Sequence, residues 1–188
     1  MERNGTWLIG AAALAFAGAA NAQGYFSFDT IPGLGEPTVQ IDLPPALLGF
    51  VNEAAKGANP EVANALAGVQ NVRVRVYDDI GDNVAAVNKF VEETSATLER
   101  DGWVAAVRVR DGGENVRIYM KPTTDRSAAP GTLDGLTVMV THDDGGEAVF
   151  INVAGAIQPA ELGKLVNAVG MNSVFNVAAP TPAPSTAQ

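Results

Sequence analysis

The chain has 188 residues, of which 47% are hydrophobic, and its 12 basic and 21 acidic residues give a formal net charge of −9. This charge excludes a globally basic nucleic-acid-binding protein, because such a protein needs a cationic field to displace counterions. The chain has no cysteine and one histidine, His142. Disulfides, thiolate metal sites, cysteine nucleophiles and histidine-rich zinc sites are therefore excluded, and we predict no metal, no cofactor and no nucleic-acid partner.

The first 22 residues have the three parts of a secretory signal peptide. Arg3 supplies a positive charge, residues 7–19 form an uncharged apolar run, and residues 20–22 (Ala-Asn-Ala) match the small-x-small pattern that signal peptidase recognises. The apolar run is too short to cross about 30 Å of hydrocarbon. The pattern predicts cleavage between Ala22 and Gln23, a periplasmic or secreted mature protein, and no transmembrane segment.

Composition divides the rest of the chain into three parts. Residues 23–38 are rich in glycine and proline and predict an N-terminal arm. Residues 171–188 contain mostly Pro, Ala, Thr and Ser, a composition that buries little apolar area and predicts a disordered tail. Residues 39–170, between them, are predicted to form a single α+β domain.

Hydrophobic periodicity predicts four helices and five strands in this domain. The helices are expected to begin near Pro45, at Asn59-Pro60, at Asp82 or Asn83, and near Pro159. The strands are expected at residues 72–76, 103–110, 115–121, 136–142 and 147–153, with hairpin turns at residues 111–114 (Asp-Gly-Gly-Glu) and 143–146 (Asp-Asp-Gly-Gly). The order predicts an α+β fold with a mixed, largely antiparallel sheet of about five strands and helices packed on one face.

Two acidic segments contain residue types that occur in reactive or metal-binding sites. His142 precedes Asp143 and Asp144 and could act as a general base oriented by a carboxylate, but these residue types are also typical of a hairpin turn. The chain has no Gly-x-Ser-x-Gly motif to supply a nucleophile. The acidic segment at residues 78–82 lacks the ligand spacing and the closing glutamate of a calcium loop. No catalytic residue and no metal ligand is predicted.

An alternation of charge is the most informative pattern in the sequence. In three predicted strands, apolar residues alternate with cations, and alternate side chains of a strand project from opposite faces of a sheet. The cations should therefore share one face, predicted to point away from the helices: Arg73, Arg75, Arg108, Arg110, Arg117 and Lys121. Such a face could bind an anionic ligand or an acidic partner segment through bidentate contacts. Alternatively, long arginine stems cover a solvated face and loop carboxylates neutralise them.

The segment from Gly102 to Lys121, with its charged strand, glycine turn and second charged strand, resembles the centre of bacterial domain-of-unknown-function family 4252. The preceding helix and strand, and the segment from Val149 to Gly155 with the helix that follows, also fit this family. The resemblance implies an exported envelope protein of unassigned activity and carries over no catalytic residues. Many members carry a lipoprotein cysteine after the signal peptide, which this chain lacks.

These observations favour a non-enzymatic, envelope-associated binding module that uses the arginine-rich sheet face. Its partner would be an anionic ligand or an envelope protein. Two alternatives remain: a small hydrolase that uses His142 with an adjacent aspartate, and a regulatory protein-interaction domain recognised through its helices. Enzymes usually gather several titratable groups in one pocket, which makes the hydrolase the weakest of the three.

Overall fold

The computed structural model describes residues 24–159. Its elements, in chain order, are β1 (Val39–Leu43), α1 (Pro45–Ala58), α2 (Pro60–Leu66), β2 (Val69–Tyr77), α3 (Val84–Arg100), β3 (Val104–Asp111), β4 (Glu114–Pro122), β5 (Leu133–His142) and β6 (Ala148–Ile157). A single 3₁₀ turn, Gly81–Asn83, precedes α3. The predicted signal peptide, the helix predicted to follow Pro159 and the predicted tail lie outside the described residues.

The strands of residues 24–159 form one antiparallel sheet in the order β1-β2-β6-β5-β4-β3. The predicted α+β class and antiparallel pairing are confirmed, with six strands instead of about five. The additional strand is β1, which pairs with β2 along its whole length. Both predicted hairpin turns are present, and Gly112 and Gly113 between β3 and β4 have φ values of 59° and 89°, which glycine adopts without a steric penalty.

The helices pack on both faces of the sheet, so the prediction that they share one face was wrong. On β5, Leu136, Val138 and Val140 belong to the apolar cluster that contains Leu48 of α1, whereas Met139 belongs to the cluster of α3. We call these two sides the α1 face and the α3 face. Because β5 and β6 are buried along almost their whole length on both faces, the sheet requires cover on each side.

The position of α3 follows from the strand order. Strand β2 lies second in the sheet and β3 lies at the opposite edge, so the connection between them passes β6, β5 and β4. Four strand spacings of about 4.8 Å separate the two strands. A helix of 17 residues is about 25 Å long and can span that separation.

The segment 24–38, predicted as an arm, packs against the α3 face. Phe28 and Ile31 are buried in the same cluster as Val87 and Val91 of α3. At the beginning of the arm, a Cβ atom added to Gly24 would lie 1.8 Å from the carbonyl oxygen of Asp134, so only glycine allows this approach. The arm and α3 therefore cover the α3 face together.

No helix within residues 24–159 has the length and apolar character needed to cross a bilayer.

Candidate functional site

The strand registers place the six alternating cations on one face of the sheet. One row across the sheet reads Arg75, Phe150, Met139, Arg117 and Arg108. Arg117 contacts Glu92 of α3, so the face that carries the cations is the α3 face. The prediction that the cations point away from the helices was therefore wrong, because it assumed that every helix packs on the valine side of the strands.

The same row divides the cations into two groups. Phe150 and Met139 separate Arg75 from Arg117, and both are fully buried beneath the arm and α3. Arg73 and Arg75 therefore lie near β1 and the arm, whereas the remaining cations lie on β3 and β4. The sheet does not present one continuous cationic surface.

Arg73 and Arg75 are neutralised within the fold. Nη1 of Arg73 lies 2.6 Å from Oδ1 of Asp29, and Nη2 of Arg75 lies 2.9 Å from Oδ1 of Asp42. The hydrogen bond from Ser27, together with that from Arg73, holds the pKa of Asp29 below its usual value. Arg75 is buried and also donates to the carbonyl oxygen of Val74. These two cations hold the arm and β1 against the sheet.

Burial raises the pKa of Asp42, but hydrogen bonds from Gln40 and Arg75 outweigh it and leave the pKa lowered. The carboxylate therefore stays ionised beside the two guanidinium groups of this network.

Lys121 has a different role. Its Nζ donates to the carbonyl oxygen of Asp101, next to the end of α3. The last carbonyl groups of a helix lack intrahelical partners and carry partial negative charge, so a lysine is stabilising at this position.

The other three cations, Arg108, Arg110 and Arg117, line one cavity between α3 and the β3–β4 hairpin, which we call the arginine cleft. Its volume is about 370 Å³. From the side of α3, Glu92, Ser95 and Glu99 line the cleft. The three guanidinium groups and two carboxylates give these lining residues a net charge of +1.

Arg117 forms the buried floor of the arginine cleft. Its side chain is only 13% exposed, and Nη1 donates to Oε2 of Glu92 at 3.0 Å and to Oγ of Ser95 at 2.9 Å. The hydrogen bond with Arg117 lowers the pKa of Glu92, and the charges of Arg110 and Arg108 act in the same direction. The hydrogen bond with Glu92 in turn raises the pKa of Arg117. The carboxylate of Glu92 thus interacts electrostatically with all three guanidinium groups.

Arg108 and Arg110 form the outer part of the arginine cleft. Arg108 is half-exposed, pairs with Glu99, and donates to the hydroxyl oxygen of Tyr119 at 3.0 Å. Arg110 is exposed, and its Nη2 lies 3.5 Å from Oδ1 of Asp143. Exposed pairs of this kind contribute little to stability, so these guanidinium groups can exchange partners at small cost.

The arginine cleft has the chemistry of an anion-binding site. Guanidinium groups present planar pairs of donors that match carboxylate and phosphate oxygens. Within residues 24–159, no group of three or more histidine, aspartate or glutamate side chains is arranged to hold a metal ion.

The acidic turns have the contacts of ordinary turns. Nδ1 of His142 lies 2.9 Å from the carbonyl oxygen of Glu147, across the β5–β6 turn. Asp143 accepts a hydrogen bond from Asn88, and Asp144 accepts one from the backbone nitrogen of Gly146. These contacts of Asp143 and Asp144 are not with His142, so they do not orient the imidazole as the carboxylate of a hydrolase would. In the segment 78–82, Asp79 accepts from the backbone nitrogen of Gly81 two residues later.

Sequence reasoning identified the cations but missed their acidic and hydroxyl partners. Glu92, Ser95 and Glu99 are spaced by three and four residues and therefore lie on one side of α3. Val87, Val91 and Leu98 form the apolar stripe of α3 next to these residues. The spacing could therefore have predicted that Glu92, Ser95 and Glu99 lie beside the sheet.

Comparison with known proteins gives a family match. Neither the curated proteins nor the solved structures contain a significant match to this chain. A family model described as "Domain of unknown function (DUF4252)" matches residues 35–165, which include every strand and helix described within residues 24–159 and all three arginines of the cleft. Since the match extends over more than half of the sequence, the chain belongs to the DUF4252 family.

Proposed function

We propose that the protein is an exported, non-enzymatic binding module that binds an anionic group in the arginine cleft. The observation that carries this proposal is the convergence of Arg108, Arg110 and Arg117 on one cavity. The bound group would be a carboxylate or a phosphate, on a free small molecule or at the end of a partner's side chain. A cavity of about 370 Å³ accommodates a group of this size.

Glu92 supports the proposal because it already occupies the position of a bound anion. Its carboxylate receives two hydrogen bonds from Arg117, although its side chain is 62% exposed. An exposed glutamate can rotate into solvent at small cost and leave Arg117 to an external anion. The other contact of Arg117, Ser95, would keep the guanidinium group oriented during this exchange.

Substitutions that change the two signs of charge in the arginine cleft should have opposite effects on binding. The double substitution Arg108→Gln and Arg117→Gln should weaken binding of inorganic phosphate or citrate at least about tenfold. Hydrogen bonds to charged groups contribute about 1.5–3 kcal/mol, and 1.4 kcal/mol corresponds to a factor of ten. Glu92→Gln should strengthen binding of the same probes, because it removes the competing carboxylate. Isothermal titration calorimetry at low salt measures both effects.

The control is Arg126→Gln, which removes one positive charge from an exposed loop residue outside the cleft. It should leave binding unchanged. The proposal is wrong if neither probe binds to the protein with the Glu92→Gln substitution, or if the control weakens binding as much as the double substitution.

Export is the second part of the proposal and rests on the signal-peptide pattern of the first 22 residues. Protein isolated from the periplasmic or culture fraction of the source cell should have Gln23 as its first residue. Amino-terminal sequencing or intact-mass measurement tests this directly. An intact Met1 on protein that stays in the cytoplasmic fraction would contradict it.

A further inference from the structure

Strand β1 is an edge of the sheet with apolar side chains on its surface. In the described part of the chain, β2 is its only strand neighbour. Val39 and Ile41 are 41% and 40% exposed and are neighbours on one face of the strand. An exposed edge strand presents unpaired backbone donors and acceptors that can pair with another strand.

The opposite edge strand, β3, has an interrupted register and cationic side chains, which β1 lacks. Its register is interrupted between Ala105 and Val107, and it carries the exposed Arg108 and Arg110. Bulges and charged side chains are the usual means by which proteins prevent edge-to-edge pairing. Strand β1 pairs with β2 in continuous register and carries no cation.

Helix α1 extends the apolar surface beside β1. Leu48 is its one buried residue, and Leu47, Phe50 and Val51 are exposed, with Phe50 at 73%. Leu48 packs in the cluster of the α1 face, which is also the face of Val39 and Ile41. One side of the sheet therefore has an apolar edge strand and an apolar helix next to each other in the chain.

We propose that two copies of the protein associate through β1, which pairs antiparallel with β1 of the second copy about a two-fold axis at Ile41. The axis is perpendicular to the sheet, so the two six-stranded sheets continue into each other and the two α1 helices lie on the same side. This interface lies at the opposite edge of the sheet from the arginine cleft and does not depend on the proposed function.

The sequence of β1, Val-Gln-Ile-Asp-Leu, is complementary to itself in this register. With Ile41 at the axis, Val39 lies opposite Leu43, and Gln40 lies opposite Asp42 twice. Apolar residues then face apolar residues on the α1 face. On the other face, Gln40 and Asp42, which are hydrogen-bonded to each other within each copy, lie opposite the same pair of the second copy.

The neighbouring registers that preserve the two faces are less favourable. An axis at Asp42 sets Gln40 opposite Pro44, which has no backbone N–H to donate. An axis at Gln40 sets Leu43 opposite Pro37, which has no backbone N–H to donate. The axis at Ile41 avoids both costs.

Analytical ultracentrifugation of the purified protein should show a monomer–dimer equilibrium that depends on concentration. Ile41→Lys should raise the dissociation constant at least tenfold, because it places two cations opposite each other at the axis. The control is Val104→Lys, on the exposed valine of β3, which should leave the equilibrium unchanged. A monomer at every concentration, or a dimer that Ile41→Lys does not affect, would overturn the proposal.

A cysteine substitution tests the register without relying on affinity. The chain has no cysteine, so a single introduced thiol can form a disulfide only between two copies. Residues opposite each other in an antiparallel pair have Cα atoms about 4.5–5.5 Å apart, within the range that a disulfide spans. Ile41→Cys should therefore cross-link rapidly under mild oxidation, and Val104→Cys should not. Cross-linking of Val104→Cys at an equal rate would also overturn the proposal.

Discussion

Replacement of Phe150 by alanine should lower the free energy of unfolding by about 3–5 kcal/mol, the range found when a buried aromatic residue is truncated. Phe150 is fully buried at the middle of the α3 face. Its ring lies 5.3 Å from that of Phe28 in the arm, 6.0 Å from that of Phe90 in α3, and 6.3 Å from that of Tyr77 in β2. The substitution therefore removes contacts with three separate parts of the fold and leaves a cavity between them.

Urea denaturation followed by circular dichroism measures this loss. The control is Phe50→Ala, which removes the same atoms from a side chain that is mostly exposed, and it should change stability by less than about 0.5 kcal/mol. Both proteins are compared at the same low concentration so that self-association does not contribute. Similar losses for the two substitutions would contradict the described packing of the α3 face.

Replacement of Asn152 by alanine should release the N-terminal arm and lower the free energy of unfolding by about 2–4 kcal/mol. Oδ1 of Asn152 accepts a hydrogen bond from the backbone nitrogen of Phe26 at 3.0 Å. Nδ2 donates to the carbonyl oxygens of Gly24 and Leu136 and to Oγ1 of Thr137. Because Asn152 is completely buried, alanine leaves these groups without partners in a site that water does not reach.

Hydrogen–deuterium exchange distinguishes release of the arm from general destabilisation. In the protein with the Asn152→Ala substitution, amide exchange should accelerate more in residues 24–34 than in β5 and β6. Asn64→Ala, at an exposed position of α2, is the matched control and should leave this pattern unchanged. Uniform acceleration over the whole sheet would contradict a local role for Asn152.

The hairpins, the fold class and the sharing of one face by the cations could be predicted from the sequence because they depend on local geometry. Side chains alternate between the two faces along any strand. The sequence of β4 alone therefore predicts that Arg117 lies on the opposite face from Val116 and Ile118. The glycines at 112 and 113 predict a tight turn because few other residues adopt positive φ.

Strand β1 was missed although its five residues alternate apolar and polar side chains. It is short and is enclosed by the proline- and glycine-rich arm on one side and by Pro44 and Pro45 on the other. These prolines made the segment resemble a connection. Its pairing with β2 brings Asp42 into contact with Arg73 and Arg75, which follow about 30 residues later in the chain.

The sequence by itself determined which residues of each strand share a face, whereas only the tertiary structure decided what covers that face. Strands β5 and β6 are buried on both sides, so both faces need cover and the strands alone do not indicate on which side α3 crosses from β2 to β3. That crossing brings Glu92 to Arg117, 25 residues away, and the packed arm brings Asp29 to Arg75, 46 residues away. Sequence periodicity reflects only the geometry of residues that are close in the chain. The arginine cleft forms because segments distant in the chain meet over the sheet, so periodicity does not predict it.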